Sequence, residues 1–392
     1  MHKLLTIGIN TLKGFSSPIF NFLIAVIGVK YYGKSDWGIL INCMIWVFFI
    51  AFIVNWGNRD YLIRKYSKTP SKIYAIFYSN LLSRSILLTA SLLLFIFFPP
   101  NTALYTIVLV VLIYGYTSLD SLVIYRQKFG AQLLSEILGF LTIIGGVLYY
   151  DSFNLVSFLQ LYCLAFFFKT TYLVFALELF KQKFNLQISF DEIRDGFPFF
   201  LIGFSGWLQS KIDIYIVSFY LPKEQLSEYQ LLITAFLMLQ AISAFLITPF
   251  TKHIFRVSNK VLLKIKKKIS LIATPIVLVG TFCIWIVLEK IVNLNISYNI
   301  YLLGGLSALP AYFYTINIMQ LYKQHKEKKV ILMGFIGAII NFTTIILFIR
   351  KYEIQGVFIG ICCTQLIILV LYKLIAKKIE KHSPSSNTID PQ

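Results

Sequence analysis

The sequence predicts an all-α polytopic membrane protein, with about twelve transmembrane helices in two six-helix lobes related by a pseudo-twofold axis along the membrane normal. Three observations carry this. Runs of about twenty apolar residues alternate with short polar breaks from Leu4 to Lys378, and a helix needs roughly 20 residues to cross a hydrocarbon core. Hydrophobic residues make up 58% of the 392 and charged residues only 14%, where a soluble domain carries about a quarter charged. Basic residues crowd into every second loop.

Taken in order, the apolar runs place helices at about 4–29, 37–57, 73–98, 102–125, 130–149 and 154–180, then 196–220, 225–250, 269–288, 296–320, 329–349 and 355–376. Turn chemistry separates them: Tyr32-Gly33-Lys34-Ser35-Asp36, Pro99-Pro100-Asn101, Asp151-Ser152 and Leu221-Pro222-Lys223 stop one helix before the next begins. The expected organisation is an N-terminal lobe over 1–180, a cytoplasmic linker over 181–195, a C-terminal lobe over 196–378 and a disordered polar tail over 379–392, where Pro384 and Pro391 fall. The first run carries Asn10 and Lys13 and lacks a small-residue cleavage site, so it reads as helix one rather than a removable signal.

Orientation follows from the loops. The even-numbered loops and both ends hold about 26 Lys and Arg, the odd-numbered loops about six, and basic residues resist translocation. Both termini are therefore expected in the cytoplasm. The net charge of +19 sits in these short loops, so anionic lipid headgroups are the expected partner and nucleic acid is not. The loop from Lys252 to Lys268 alone has seven basic residues; it serves topology and lipid binding, or else recruits a partner protein.

Enzyme classes find no support. There is no nucleotide-phosphate loop, metal-ligand cluster or Ser-His-Asp set, every external loop is under about ten residues, and no cofactor is expected. Cys43, Cys163, Cys283, Cys362 and Cys363 all fall within apolar runs and read as packing residues. His2, His253, His325 and His382 fall in cytoplasmic segments, which leaves no intramembrane histidine relay.

The two halves resemble each other. Gly14-Phe15-Ser16-Ser17-Pro18 in helix one matches Gly196-Phe197-Pro198 in helix seven, and Tyr31-Tyr32-Gly33-Lys34 matches Phe219-Tyr220-Leu221-Pro222-Lys223. Two halves of six helices share one orientation, the parallel-repeat plan of several transporters, with a cavity between bundles. The stretch from Asn10 through Trp37-Gly38 to Asn58-Arg59-Asp60-Tyr61 and Arg64-Lys65-Tyr66-Ser67-Lys68 resembles the opening of bacterial O-antigen repeat-unit (Wzx-type) flippases. Gly196-Phe197-Pro198, Lys211-Ile212-Asp213 and Glu228-Tyr229 resemble that family's second-half signature, except that Glu228 stands where the family usually has Gly. The resemblance implies membership of the multidrug/oligosaccharidyl-lipid/polysaccharide exporter superfamily and alternating access. It also implies a substrate, an undecaprenyl-diphosphate-linked oligosaccharide carried from the inner to the outer leaflet.

Such a substrate needs buried cations and hydrogen-bonding groups. Lys13, Arg84, Lys169 and Lys211 lie within apolar runs, and each costs about 2.5–3.5 kcal/mol at a helix centre. Arg84 is about 18 Å into helix three, with Asn80 one turn before it and Ser91 two turns after; it either reaches the substrate phosphate with its planar fork or pairs with another buried group. Lys13 shares a polar stripe with Asn10, Ser17 and Asn21 on helix one, and either lines the cavity or reaches back to the headgroups. Lys169 follows Phe166-Phe167-Phe168, which argues for lipid on one side. On helix seven Gln209 and Asp213 share a face, whereas Lys211 and Asp213, two apart, do not. Asp213 is the acidic residue farthest from an interface, since Asp120, Glu136 and Glu178 fall near span ends. It is the candidate ion-coupling residue, or else the partner of Arg84 or Lys169. The prolines at 18, 198, 275 and 310 can break helices near the cavity. Four buried basic residues to one acidic favour an anionic substrate over the cationic drugs of an antiporter, and a glycan polymerase is less favoured still.

Overall fold

A computed structural model describes residues 2–182, 187–247, 259–324 and 326–382, with side chains from 14 onward apart from 245–247, 259–263, 265, 322–323, 327 and 376–382. Every regular element among these residues is helical. In order they are α1 (His2–Tyr32), α2 (Lys34–Asn55), α3 (Asn58–Lys68), α4 (Ile73–Ser85), α5 (Leu94–Phe97), α6 (Pro100–Ser118), α7 (Asp120–Arg126), α8 (Phe129–Tyr149), α9 (Leu155–Ala176), α10 (Phe190–Tyr220), α11 (Lys223–Ile247), α12 (Asn259–Trp285), α13 (Tyr298–Lys323) and α14 (Glu327–His382). Ten helices or helix runs are long and apolar enough to span a bilayer. This is a multi-pass membrane protein.

Hydropathy locates the spans but misses how they are broken. The second span runs from Lys34 to Lys68 with a sharp break at Trp56 and Gly57, both in the left-handed region (φ 47° and 66°). The third span is α-helical only to Ser85; Ile86–Leu93 winds as a 3₁₀-helix before α5 resumes. Ser91 therefore leaves the α-helical face of Asn80 and Arg84, and its hydroxyl donates to the Leu88 carbonyl. Tighter winding advances each residue by about 120°. Spans eleven and twelve form one element, α14, bent back at Glu353 (φ 48°, ψ −131°). Gly356 and Gly360 pack against the backbone of Phe348 and Ile345 beside that bend, and a side chain there would collide with it. Helix seven begins at Phe190, six residues before the apolar run, with Asp191 and Glu192 in its first turn.

The chain forms two compact units, one of residues 1–204 with 222–231, the other of 205–221 with 232–392. In the first, α1 packs on α8, and α9 on α6 and α8. Phe20 stacks on Phe140 at 4.6 Å, and Tyr32 donates to the carbonyls of Val147 (2.6 Å) and Tyr150 (2.8 Å), fixing the end of α1 to the end of α8. In the second unit α13 packs on both α12 and α14. Helices α10 and α11 each contribute to both units.

Candidate functional site

The second unit holds a cavity of about 200 Å³ lined by polar groups from four helices. Helix α10 supplies Gln209, Ser210 and Asp213, α11 supplies Gln240, α13 supplies Tyr314, and α14 supplies Asn341, Thr364 and Gln365. Asp213 is buried, at 4% exposure. The Tyr314 hydroxyl donates to Gln365 Oε1 at 3.1 Å, Thr364 Oγ1 to Asn341 Oδ1 at 3.4 Å, and Gln240 Nε2 to the Ser307 carbonyl at 3.3 Å. The polar part of the lining is thus one carboxylate among neutral amides and hydroxyls, beside the apolar Ile233, Leu237 and Ile361. A water needs only about 10–15 Å³ of such space, so the cavity accepts a hydrated cation. Gly334 and Gly337 of α14 lie against Ser205 and Gln209, and a Cβ at 337 would crowd the Gln209 amide.

Gln209, read from sequence as a substrate contact, lines the same ion-sized cavity as Asp213. Lys211 is exposed while Asp213 is buried, as two residues about 200° apart on a helix must be. On α1, Ser17 is half-buried and Asn21 exposed; the side chains of Asn10 and Lys13 lie outside the described residues.

In the first unit the buried cations are held by protein groups. Arg84, 1% exposed, donates from Nε to Asn80 Oδ1 (2.8 Å), from Nη1 to the carbonyls of Asn55 (3.0 Å) and Val54 (3.4 Å), and from Nη2 to Ser118 Oγ (3.0 Å). Its guanidinium also lies 5.2 Å from the Tyr114 ring centre. Val54 and Asn55 end α2 at the left-handed break, where helical carbonyls lack intrahelical partners. A cation at a helix C-terminus satisfies them and complements the dipole. Arg84 thus bonds other buried groups, among them the carbonyls that end a broken helix.

Lys169 Nζ is 2.9 Å from Glu136 Oε2 and 4.2 Å from the ring centre of Tyr116, whose hydroxyl donates to Glu136 Oε1 at 2.6 Å. Asn80 Nδ2 donates to Glu192 Oε2 at 3.3 Å, as does the Tyr61 hydroxyl at 2.9 Å, and Lys65 pairs with the other oxygen. Glu136 and Glu192 were missed as buried groups because both stand near the ends of apolar runs; only tertiary packing encloses them. Glu136 is part-buried, and Glu192 with Asp213 makes two buried carboxylates beside two buried cations, Arg84 and Lys169, so the four-to-one excess of buried basic charge does not hold among the described residues. Asn341 and Thr364 were also missed: single polar residues within long apolar runs are common, and only their convergence with Asp213 marks them.

No family model matches the sequence, and no curated protein matches it. Solved structures do. The lipid II flippase MurJ, in an inward closed conformation, aligns with a TM-score of 0.69 and 19% identity over 94% of this chain and 87% of that one. An inward-facing multidrug resistance MATE family transporter of the MOP superfamily gives 0.56 and 12%, over 95% and 96%. The eukaryotic MATE transporter AtDTX14 gives 0.54 and 13%, over 97% and 98%. The chain therefore has the all-helical fold shared by the flippase and the transporters of this superfamily.

Proposed function

We propose that the protein is a flippase of the bacterial cytoplasmic membrane, moving an undecaprenyl-diphosphate-linked oligosaccharide repeat unit from the inner to the outer leaflet by alternating access, driven by an ion gradient. The observation that carries it is the division of labour on α10: an exposed cation, Lys211, beside a carboxylate, Asp213, withdrawn into a cavity with polar groups from four helices. The first can meet a phosphate oxygen and the second can bind and release the coupling ion, one helix turn or less apart. The fold shared with MurJ, itself a lipid II flippase, and the O-antigen flippase motifs of the sequence support the substrate class. On α1, Ser17 and Asn21, with Asn10 and Lys13 continuing the stripe in sequence, offer further polar groups to the substrate in this reading. Both termini are cytoplasmic in this reading, and the basic loops hold anionic lipid or a glycan-assembly protein.

A second reading is a cation antiporter, favoured by the single carboxylate in the cavity, which would suit a small cationic substrate as well as a coupling ion. One experiment separates the two. In proteoliposomes, a short-chain prenyl-diphosphate oligosaccharide in one leaflet is followed by its accessibility to an impermeant glycosidase, in parallel with uptake of ethidium. Gradient-dependent exchange of the prenyl-diphosphate sugar, slowed about tenfold or more by Lys211→Ala and made insensitive to the gradient by Asp213→Asn, supports the flippase. Ethidium transport without sugar exchange overturns it in favour of the antiporter.

A further inference from the structure

Lys264, Lys266, Lys267 and Lys268 form one basic run near the start of α12, but they do not behave alike. Lys264, Lys267 and Lys268 are exposed, whereas Lys266 is half-buried and donates from Nζ to Asn317 Oδ1 of α13 at 2.9 Å. Its place on the helix explains this: Ile269, Ala273 and Val277 follow it at helical spacing and are all buried, so Lys266 begins the stripe of α12 that faces its neighbours. Gly280, next on that stripe, lies against Leu239 of α11, whose carbonyl accepts from the Tyr312 hydroxyl of α13 at 2.6 Å. Three helices thus meet at Leu239, beside Gln240 of the cavity.

A line of polar side chains leads from the cavity to that lysine. Gln240 of α11 and Tyr314 of α13 line the cavity. One turn farther along α11, Ser243, 3% exposed, lies 3.4 Å from Thr315 Oγ1. Thr315 gives its hydrogen to the Ala311 carbonyl at 2.5 Å, so Ser243 donates to it. Asn317 stands one turn beyond Tyr314, a rise of about 4.5 Å, wholly buried and with Nδ2 unpartnered among the described residues. Water is the usual partner of such an amide. Isolated hydroxyls in membrane helices bond their own backbone and stop there; here amides and hydroxyls of two parallel spans line up on one side of the cavity, and the span between them brings a lysine to their end.

We infer that the coupling cation reaches Asp213 along a hydrated seam between α11, α12 and α13, past Asn317, Thr315 and Ser243, and that Lys266 sets the rate at which it enters. The inference rests on the reading of Asp213 as the ion-coupling residue, and the basic end of α12 is the cytoplasmic end in that reading. The seam supplies what a cation leaving bulk water needs, neutral oxygens in succession with water between them, where hydrocarbon offers none. Lys266 adds a fixed positive charge at the outer end of the seam, half-buried and so weakly screened by salt. It repels an entering cation and slows its arrival without closing the path.

Silver ion tests the seam, being a monovalent cation of alkali-metal size that binds thiols. In full-length protein with its five native cysteines replaced, single thiols are introduced by Ser243→Cys, Thr315→Cys and, as an exposed comparison in the apolar part of α13, Leu306→Cys. Inverted membrane vesicles are treated with silver nitrate, and the thiols that remain are counted with a fluorescent maleimide after denaturation. Ser243→Cys and Thr315→Cys are expected to react at least about tenfold faster than Leu306→Cys, Lys266→Gln to speed both by about threefold more, and Lys266→Arg to leave them near the native rate. Rates at 243 and 315 no higher than at 306, or unchanged by Lys266→Gln, would overturn the inference. If both thiols stay unreactive while Asp213→Asn abolishes the gradient response of transport, the seam falls and the coupling reading stands. If they react as expected while Asp213→Asn leaves that response unaltered, the seam stands as a cation path and the coupling reading falls.

Discussion

Arg84 shows how far a single residue can be read. Its depth in an apolar run made it conspicuous, and the cost of burying it demanded partners; those partners were illegible because the sequence shows where helix two ends, near Gly57, but not which side chain reaches that end. Hydropathy does not register a left-handed Trp56-Gly57 pair. The structure makes a specific demand on this position: three elements converge on a planar group with separated donors, which an ammonium cannot supply from one nitrogen. Arg84→Ala should leave the Val54 and Asn55 carbonyls and the Asn80 amide oxygen buried without their donor, and lower stability by about 3–5 kcal/mol. Arg84→Lys should recover less than half of that. Thermal unfolding in detergent measures both, and a native-like midpoint for the alanine variant combined with lost transport would return Arg84 to the substrate.

At the scale of elements, the sequence located most of the spans, though ten rather than twelve stand out among the described residues, because length and local chemistry set them. The departures arise where a neighbour decides the outcome: α4 passing into 3₁₀ winding after Arg84, α10 starting early on the acidic turn that Lys65 neutralises, and α14 folding back at Glu353. The α8–α9 contact is a case of its own. Gly139 faces the stem of Lys169, so the helices approach closely enough to seal Lys169 and Glu136 together, with side-chain exposures of 10% and 12%. A pair so enclosed is costly to break on one side and cheap to replace on both. Lys169→Met alone should destabilise by about 3–5 kcal/mol, and Lys169→Met with Glu136→Met should regain most of the loss. Denaturant midpoints of the three proteins test this, and equal losses in single and double variants would show that the charge itself is needed there.

For the whole molecule, the question is what constitutes a unit that can fold. Composition and the loop charges defined the membrane class, and the repeat of motifs between halves pointed to two lobes; neither could show that α10 and α11 each belong partly to the first compact unit. That sharing has a physical basis. Residues 190–204 bring Glu192 to Lys65, Tyr61 and Asn80, the Ile193 carbonyl to Trp56, and Phe199 and Phe200 to Gly57. A chain ending at Gln182 loses all of these: Lys65 and Asn80 forfeit their carboxylate, Asn80 passes that loss to Arg84, and the break after α2 is left without its aromatic cover. A chain ending at Phe204 keeps them. The longer fragment should therefore survive limited proteolysis in detergent several-fold longer than the shorter one, beyond what 22 added residues contribute. Glu192→Gln in the longer fragment should remove much of the difference, since a neutral amide cannot hold Lys65 as a carboxylate does. Equal proteolytic lifetimes for the two fragments would mean that the first half of α10 adds nothing to the first unit.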